Sequence, residues 1–348
     1  MFSFLRPYIF GLDPEVAHDL AIKSLKLNVI PKSFFQVDEE ERLEIELFKK
    51  KLKNPIGLAA GFDKSAEVYN SLFKLGFGFV EVGTITPRRQ LGNPKPRIFR
   101  LEKDKAMINR LGFNNDGAED VLERLISNPP EDFLGINIGP NKDTKDKISD
   151  FTKCFDKLGK LSSYITVNIS SPNTEGLRDF HEEKLLSNLL SKLNELKKNK
   201  NIQCPIVLKI SPDIEEKKIS DINELISKFK VDGIILTNTT NQHREHLSDI
   251  KKNEDGGLSG LPLQKISLKL IKIFYKSNKG KVPIIGVGGI DSGKSAFEKI
   301  AAGATAVQLY TGMVYKGPGV VKDIKKELIG ILKKEKIKNI KEAIGINS

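Results

Sequence analysis

Residues 282–293 read VPIIGVGGIDSG, an apolar run that ends in two glycines and leads into a stretch of helical character. The run Val282–Val287 is continuously apolar, which is typical of a strand buried on both faces of a parallel sheet. Gly288 and Gly289 follow it, and a helix is predicted at Gly293–Ala302. Glycine-rich backbone between a strand and a helix N-terminus often binds phosphate. The segment therefore predicts one strand–helix unit with an anion site at the carboxyl end of its strand.

The same alternation of an apolar run and an amphipathic stretch recurs from about Asn54 onward. Seven further strands are predicted at Ile56–Ala60, Phe77–Thr84, Phe133–Ile138, Tyr164–Ser170, Ile206–Ile210, Gly233–Thr237 and Ala306–Tyr310. Helices are predicted between most of them, at Ser65–Leu75, Glu182–Leu196, Asp221–Phe229, Gln264–Tyr275 and Val320–Leu332. Eight successive units without a domain break favour an α/β fold closed into a (β/α)8 TIM barrel over an open doubly wound sheet.

Two long connections interrupt this rhythm, Arg88–Pro130 after the second predicted strand and His243–Pro262 after the sixth. Connections of such length are uncommon in compact domains and usually serve a function. Both follow the carboxyl end of a strand, where barrel enzymes build their active sites. We therefore expect both connections to contribute to a site.

The composition limits the possible partners. The chain has 348 residues, 39% of them hydrophobic, and a formal net charge of +12. Because the excess lysines are scattered and form no arginine-rich, aromatic-interleaved patch, we expect no nucleic-acid partner; an anionic membrane surface is the alternative explanation of the charge.

Cys154 and Cys204 have neither disulfide nor metal spacing, which indicates a reducing compartment and no metal. No run reaches the ~18 apolar residues of a membrane-spanning helix, and no signal peptide is predicted.

Residues 1–37 are predicted to form a helical segment separate from a barrel domain of residues 38–348. Asp13 before Pro14 is typical of a helix start. Upstream of it, the aromatic and aliphatic stretch Phe2–Phe10 contains Arg6 as its one charge. This pattern fits a helical pair that caps the barrel and, equally well, a monotopic membrane anchor.

Polar residues stand where six of the predicted strands end. The positions are Asp63-Lys64, Thr84, Asn137, the segment 168–173, Lys209 and the segment 237–240. One such residue is usually a satisfied core group, whereas a set of them at strand ends favours a polar ligand above the barrel. The glycines after the seventh and eighth strands predict that this ligand carries a phosphate group, as FMN or a sugar phosphate does.

The lysines and asparagines at these strand ends limit the chemical classes of ligand that the site would bind. Lys209 lies within a predicted strand, where an ammonium group needs an anionic partner or a lowered pKa. A reduced flavin, negative near N1, would supply that partner; a Schiff-base lysine of an aldolase is the alternative. Amide side chains suit a planar ring with amide-like edges, such as a pyrimidine, and Lys64 suits a carboxylate. The asparagines concerned are Asn109, Asn114, Asn137, Asn168, Asn173 and Asn238.

Several segments, in order along nearly the whole chain, resemble the dihydroorotate dehydrogenase family. They are GLAAGFDK (57–64), EVGTITP (81–87), NRLGFN (109–114), VNISSPNTEGLR (167–178), LKISPD (208–213), TNTT (237–240), GLSGLP (257–262) and IGVGGIDS (285–292). The resemblance implies a barrel enzyme that oxidises dihydroorotate to orotate in pyrimidine (UMP) synthesis and passes the hydride to one FMN per chain.

Position by position, the resemblance also implies the site residues. Those that would hold FMN are Ala60, Gly61, Lys64, Thr84, Asn137, Asn168, Lys209, Thr237, Gly260, Gly289, Tyr310 and Thr311. Those that would bind substrate are Lys64, Asn109, Arg110, Leu111, Gly112, Phe113, Asn168, Asn173, Asn238 and Thr239. Ser171 stands at the position of the family's catalytic base, and a relay through water and a nearby threonine hydroxyl is expected to receive its proton.

Ser171 favours the quinone-linked class of this family, because the soluble classes resemble one another in having cysteine at that position. The N-terminal segment favours the same class, in which a helical pair forms a quinone tunnel; His18, Arg100 and Tyr310 match tunnel positions. The class implies ubiquinone or menaquinone as acceptor, a monomer, and peripheral attachment to the cytoplasmic face of the cell (inner) membrane through the N-terminal segment. Lys95 departs from the sequence pattern of the family, because relatives often have arginine at that position.

Three alternatives stay open on the sequence. A soluble relative could use fumarate or NAD, and a flavin-dependent tRNA dihydrouridine synthase would suit the charge of +12. A catalytically inactive barrel could serve as a peripheral membrane scaffold.

Overall fold

The computed structural model of this chain describes residues 2–27, 35 and 40–348. In chain order the strands are β1 (Ile45–Leu47), β2 (Lys50–Leu52), β3 (Ile56–Leu58), β4 (Phe79–Ile85), β5 (Arg88–Gln90), β6 (Ile98–Leu101), β7 (Ala106–Asn109), β8 (Asn115–Gly117), β9 (Leu134–Ile138), β10 (Tyr164–Asn168), β11 (Ile206–Ile210), β12 (Gly233–Leu236), β13 (Gly257–Gly260), β14 (Ile284–Val287) and β15 (Ala306–Leu309). The helices are α1 (Phe2–Gly11), α2 (Pro14–Lys26), α3 (Tyr69–Phe73), α4 (Ala118–Ser127), α5 (Lys147–Leu158), α6 (Glu183–Asn199), α7 (Lys217–Lys228), α8 (Gln264–Asn278), α9 (Gly293–Ala301), α10 (Thr311–Lys316) and α11 (Val320–Lys334).

The predicted apolar runs close into a parallel barrel. Its strands follow one another in chain order, β3, β4, β9, β10, β11, β12, β14 and β15, and β15 pairs with β3 to close it. The residues of these strands are buried almost throughout, because side chains fill the barrel on one face and helices cover the other. The predicted barrel is confirmed, and several of its strands end one or two residues before the predicted end.

The outer helices differ from the prediction at α3, α4 and α5. Helices α4 and α5 occupy stretches in which the sequence analysis placed no helix, although Phe151, Cys154 and Leu158 of α5 are buried at helical spacing. The predicted helix Ser65–Leu75 is shortened to α3, because the carboxylate of Asp63 accepts hydrogen bonds from the backbone N–H groups of residues 67 and 68 and holds this stretch as a turn. Short periodic patterns between long polar segments are easily missed.

The two long connections meet above the barrel. Strands β6, β7 and β13 form an antiparallel sheet, in which Gly257 of the second connection pairs with Asn109 of the first. Strands β5 and β8 pair within the first connection. Both connections therefore lie at the carboxyl end of the barrel, where the sequence analysis expected them to contribute to a site.

The N-terminal helices pack against this antiparallel sheet. Asp13 begins α2 as predicted, and its side chain accepts hydrogen bonds from the backbone N–H groups of Glu15 and Val16 at 2.9 and 3.1 Å. The guanidinium of Arg97 binds the carboxylate of Glu15, Nη2 to Oε1 at 2.7 Å, in a pair that is mostly buried. The predicted boundary between residues 37 and 38 lies outside the described residues. Among those described, no helix is both long and apolar enough to span a membrane.

Lys299 of α9 is a buried cation in the packing between α9 and α8. Its Nζ donates a hydrogen bond to Ser267 Oγ at 2.9 Å, and Ser267 in turn donates to the carbonyl oxygen of Val287 at the end of β14. Burial lowers the pKa of Lys299 to about 7, and the nearby charge of Glu298 opposes this shift in part. The ammonium form is therefore expected to weaken the fold.

We predict that replacing Lys299 by methionine stabilises the fold most below pH 7. Since the pKa of Lys299 is lower in the folded state, the unfolded chain binds the extra proton between about pH 7 and pH 10.5. The penalty in the wild type is complete below pH 7 and shrinks as the pH rises. Urea unfolding of both proteins at pH 6 and pH 9 measures the difference. Lys294→Met, an exposed position on the same helix, is the control; a difference equal at both pH values would contradict the prediction.

Candidate active site

A cavity of about 270 Å³ opens at the carboxyl end of the barrel. Strand ends and the antiparallel sheet above them form its walls. Most of the predicted site residues line it: Ala60, Gly61, Lys64, Thr84, Asn109, Leu111, Gly112, Phe113, Asn168, Ser171, Asn173, Lys209, Thr237, Asn238, Thr239, Gly260, Gly289, Tyr310 and Thr311. Residues that lie up to 251 positions apart in the chain (60 and 311) are thus brought to one chamber.

Four predicted residues do not line this cavity. Arg110 extends to Glu254, with Nη1 and Oε2 2.8 Å apart, and its guanidinium lies over the ring of Phe99. Asn137 is fully buried beneath the cavity. His18 lies in α2, and Arg100 contacts the end of α1. The backbone groups of Arg110 also have partners, the carbonyl of Arg97 and the amide of Asn93, so its substrate role stays a prediction.

Glycines shape one end of the cavity. Gly260 and Gly289 have φ values of +95° and +71°, and a Cβ atom at Gly289 would come within 2.6 Å of the side chain of Gln264. Thr311 begins α10 beside them, and its hydroxyl lies 2.9 Å from that of Ser259. Backbone N–H groups can approach an anion closely only where side chains are missing. This end of the cavity is therefore suited to a phosphate group.

The floor of the cavity contains buried polar groups without partners. Within the described residues, Lys209 Nζ has no hydrogen bond and no ion pair, and neither Thr237 Oγ1 nor Gln308 Oε1 has a hydrogen-bond partner. Burial lowers the pKa of Lys209, and the charge of Glu81 opposes that shift. Buried polar groups are nearly always satisfied. Their position indicates a polar ligand that lies on the floor of the cavity.

Asparagine side chains form a neighbouring wall. Asn238 Nδ2 donates to Ser170 Oγ at 2.9 Å and lies 3.3 Å from Asn168 Oδ1. Asn173 Nδ2 donates to the carbonyl oxygen of Asn109 at 3.1 Å, so that loops after β10 and β7 are joined. Amide groups held in this way present fixed donors and acceptors to a planar ligand.

Ser171 lies in the same chamber and is buried. Its Oγ accepts a hydrogen bond from the backbone N–H of Asn173 at 3.2 Å. Among the described residues, no histidine, aspartate or glutamate side chain is hydrogen-bonded to this hydroxyl. A base in this position would need another proton acceptor, as the sequence analysis expected.

Arg178 anchors the loop that contains Ser171, and the sequence analysis did not single it out. Its Nη1 lies 3.0 Å from Asp213 Oδ2, and its Nε donates to the carbonyl oxygen of Ser170 at 3.3 Å. A second missed residue is Glu81, a fully buried carboxylate in β4. A charge inside the continuously buried strand FVEVGTI was the signal for Glu81, because a buried charge requires partners.

Helix α2 reaches the cavity through a contact between two predicted residues. Lys64 Nζ lies 2.9 Å from His18 Nε2. Burial is the main cause that lowers the pKa of His18 to about 3 and that of Lys64 to about 8. The His18 ring packs edge-on against Phe62, which packs in the same way against Tyr310. The structure therefore joins His18 and Tyr310 by a row of aromatic contacts.

Arg100, the third predicted tunnel residue, lies against α1. Its Nη2 donates to the carbonyl oxygen of Leu12 at 2.9 Å, and its guanidinium lies 4.6 Å from the ring centre of Phe10. Because it binds the carbonyl groups of Ile9 and Leu12 at the end of α1, Arg100 fixes that helix against the antiparallel sheet.

A sequence profile described as dihydroorotate dehydrogenase matches residues 42–332. This chain belongs to the dihydroorotate dehydrogenase family. Relatives named dihydroorotate dehydrogenase (quinone) include one from Bartonella henselae, 48% identical over 341 residues, which cover 97% of this chain and 93% of the relative. Another, from Christiangramia forsetii, is 47% identical over 336 residues, 94% of this chain and 98% of the relative.

Crystal structures of dihydroorotate dehydrogenase from Eimeria tenella have the same fold. The complex with ferulenol has a TM-score of 0.92 and 38% sequence identity, and the alignment covers 97% of this chain and 98% of the other. The ligand-free form has a TM-score of 0.91 and 40% identity, with coverage of 96% and 99%. The family likeness therefore includes the N-terminal part of the fold as well as the barrel.

We predict that Gly289→Ala impairs binding of a phosphorylated ligand. A side chain at a positive φ costs about 1–3 kcal/mol, and here its Cβ would also collide with Gln264. FMN affinity, measured by absorbance titration of flavin-free protein, is expected to fall about tenfold or more. Gly330→Ala is the control, because no atom lies within 4 Å of its added Cβ in α11. Equal affinity of both variants would show that the glycine turn does not hold the ligand.

Proposed function

We propose that this chain is an FMN-dependent dihydroorotate:quinone oxidoreductase that produces orotate for pyrimidine nucleotide synthesis. Family membership and relatives named for the quinone reaction support this activity. The single observation that carries it is the convergence of a glycine cradle, two lysines, the asparagine amides and Ser171 in one chamber.

The residues present fit FMN. The backbone at Gly260 and Gly289 would hold its phosphate, and Lys209 and Thr237, which have no hydrogen-bond partner on the cavity floor, would bind its ring. The ammonium group of Lys209 would favour negative charge on that ring. When bound, FMN supplies the acceptor for the hydride of the substrate.

The asparagine wall and Lys64 would orient dihydroorotate. The carboxylate of the substrate would bind Lys64, which must then share or leave its contact with His18. Amides of Asn109, Asn173 and Asn238 would bind the polar edges of the pyrimidine ring. A fixed orientation of this kind would hold the carbon that loses a proton close to Ser171.

Ser171 would remove the proton from C5 of dihydroorotate. Its oxygen already accepts one backbone hydrogen bond, which lowers the energy of negative charge on that oxygen. Since no described acidic or histidine side chain binds this hydroxyl, we expect its own proton to leave through water and a nearby threonine hydroxyl.

We predict that Ser171→Ala binds FMN normally but slows flavin reduction by dihydroorotate about a hundredfold or more, since only the base is removed. Anaerobic stopped-flow absorbance measures this rate, and the flavin content of the purified protein measures binding. Ser227→Ala, at an exposed position of α7, is the matched control. Wild-type reduction rates in the Ser171 variant would remove this residue from the mechanism.

We infer that the electron acceptor reaches the site between α1, α2 and the barrel. The three residues predicted to line a tunnel, His18, Arg100 and Tyr310, make contacts on this side, which supports the proposal. Phe4 and Tyr8 are 74% and 71% exposed, and Leu12, Val16 and Leu20 continue the apolar surface onto α2. Such a surface suits the interface of a membrane that contains ubiquinone or menaquinone. We propose peripheral binding at the cytoplasmic face of the inner membrane, and a monomer.

We predict that the double variant Phe4→Ser, Tyr8→Ser binds anionic lipid vesicles roughly tenfold more weakly, because two exposed apolar side chains no longer enter the interface. Vesicle cosedimentation measures the affinity, and activity with a short-chain quinone shows that the site is intact. The control is Leu91→Ser, Ile250→Ser, since these residues are 77% and 89% exposed elsewhere. Equal losses in both double variants would argue against a membrane-facing helical pair.

A further inference from the structure

Glu81 is a fully buried carboxylate beneath the active-site cavity, and it does not line that cavity. Its oxygens accept four side-chain hydrogen bonds from three other barrel strands. The donors are Asn137 Nδ2 at 2.8 Å, Tyr164 Oη at 3.0 Å, Thr166 Oγ1 at 3.1 Å and Gln308 Nε2 at 3.1 Å. A buried carboxylate is tolerated in a protein core only when hydrogen-bond donors such as these satisfy its oxygens.

An ionised carboxylate can only accept hydrogen bonds, and this property fixes the direction of the next ones. Asn137 must turn its NH2 group toward Glu81, so its carbonyl oxygen faces the other way and accepts from Thr84 Oγ1 at 2.7 Å. The Thr84 hydroxyl has then donated its one proton. It accepts from Asn168 Nδ2 at 3.1 Å.

The same direction continues to the wall of the cavity. Asn168 presents its oxygen to Ser170 Oγ, which donates at 2.8 Å. Ser170 Oγ then accepts from Asn238 Nδ2 at 2.9 Å, and the oxygen of Asn238 is left to accept from the backbone N–H of Thr239 at 2.7 Å. Asn137 could be turned over without a change of shape, and Glu81 sets its orientation, whereas backbone N–H groups also hold the other two amides: Ser170 N–H donates to Asn168 Oδ1 at 3.2 Å and Thr239 N–H to Asn238 Oδ1.

Glu81 also affects the cation on the cavity floor. Of the charged groups that act on Lys209, Glu81 is the one that favours its protonated form. Lys209 has no ion pair among the described residues, so the charge of Glu81 acts on it across the barrel interior.

We propose that Glu81 is a positioning residue that fixes, through Asn137, the direction of the Thr84 hydroxyl, so that this hydroxyl accepts from the Asn168 amide at the wall of the cavity. This inference rests on the proposed function, because it assigns Thr84 and Asn168 to the binding of FMN and dihydroorotate. Glu81 itself would touch neither molecule.

The experiment compares Glu81→Gln with the wild type. Glutamine has the same shape, but its amide can donate to Asn137, which would turn the NH2 group of Asn137 toward Thr84 and leave that hydroxyl between two donors, Asn137 and Asn168. We expect the KM for dihydroorotate to rise about tenfold, the size of effect that one misdirected buried hydrogen bond produces. The absorbance maximum of bound flavin is expected to shift, because the negative charge near Lys209 is lost.

A double variant, Glu81→Gln with Asn137→Asp, separates direction from simple packing. The carboxylate introduced at position 137 would accept from both the amide introduced at position 81 and the hydroxyl of Thr84, so the groups from Thr84 onward keep their native direction. We expect the double variant to recover most of the loss in KM seen for Glu81→Gln. Tyr164→Phe is the control, because it removes one bond to Glu81 outside the row; it is expected to lower thermal stability and leave KM within about twofold.

The outcomes distinguish this inference from the proposed function. If the wild type contains no flavin that dihydroorotate reduces, the proposed function fails. If the wild type is active but Glu81→Gln leaves KM, kcat and the flavin spectrum unchanged, or if the double variant is no better than the single one, the positioning role of Glu81 is wrong. Should Glu81→Gln not fold, Thr84→Val interrupts the row with Glu81 intact, and an unchanged KM there overturns the inference.

Discussion

Closure of the parallel barrel by the pairing of β15 with β3 is the constraint on which the site depends. Because all eight strands run in one direction, their carboxyl ends meet at one rim, and residues from every part of the chain arrive there together. Lys64, Lys209 and Thr311 are examples. An open sheet of the same strands would separate the first and last of these by its full width.

The interior of this barrel is more polar than a packed core requires. Lys209 and Gln308 lie on the floor of the cavity and Glu81 lies beneath it, and each would weaken the fold if it lacked partners. Glu81 is satisfied by four donors, whereas Lys209 lacks a hydrogen bond within the described residues. The barrel thus satisfies the carboxylate by itself and leaves the cation for a ligand, which is the distribution that an anionic cofactor ring would use.

Helix α2 packs beside the site and also contributes a side chain that contacts a cavity residue. The ion pair between Arg97 and Glu15 attaches α2 to the antiparallel sheet, and the contact of His18 with Lys64 brings that helix to the cavity. A ligand that engages Lys64 therefore acts on a group that α2 also contacts. Lys64 is therefore shared by the proposed substrate site and the proposed path of the quinone.

The sequence by itself determined the eight strands, their order, the glycine turn at Gly288-Gly289 and the identity of most cavity residues, because hydrophobic periodicity and turn chemistry are local and the family segments are specific. The tertiary structure alone decided that Arg110 turns to Glu254, that Arg178 anchors the loop of Ser171 and that Glu81 orients the amide of Asn137. These features depend on side-chain contacts between residues 35 to 227 positions apart, such as Arg178 with Asp213 and Glu81 with Gln308. No local pattern specifies such contacts, since they exist only after the barrel has closed.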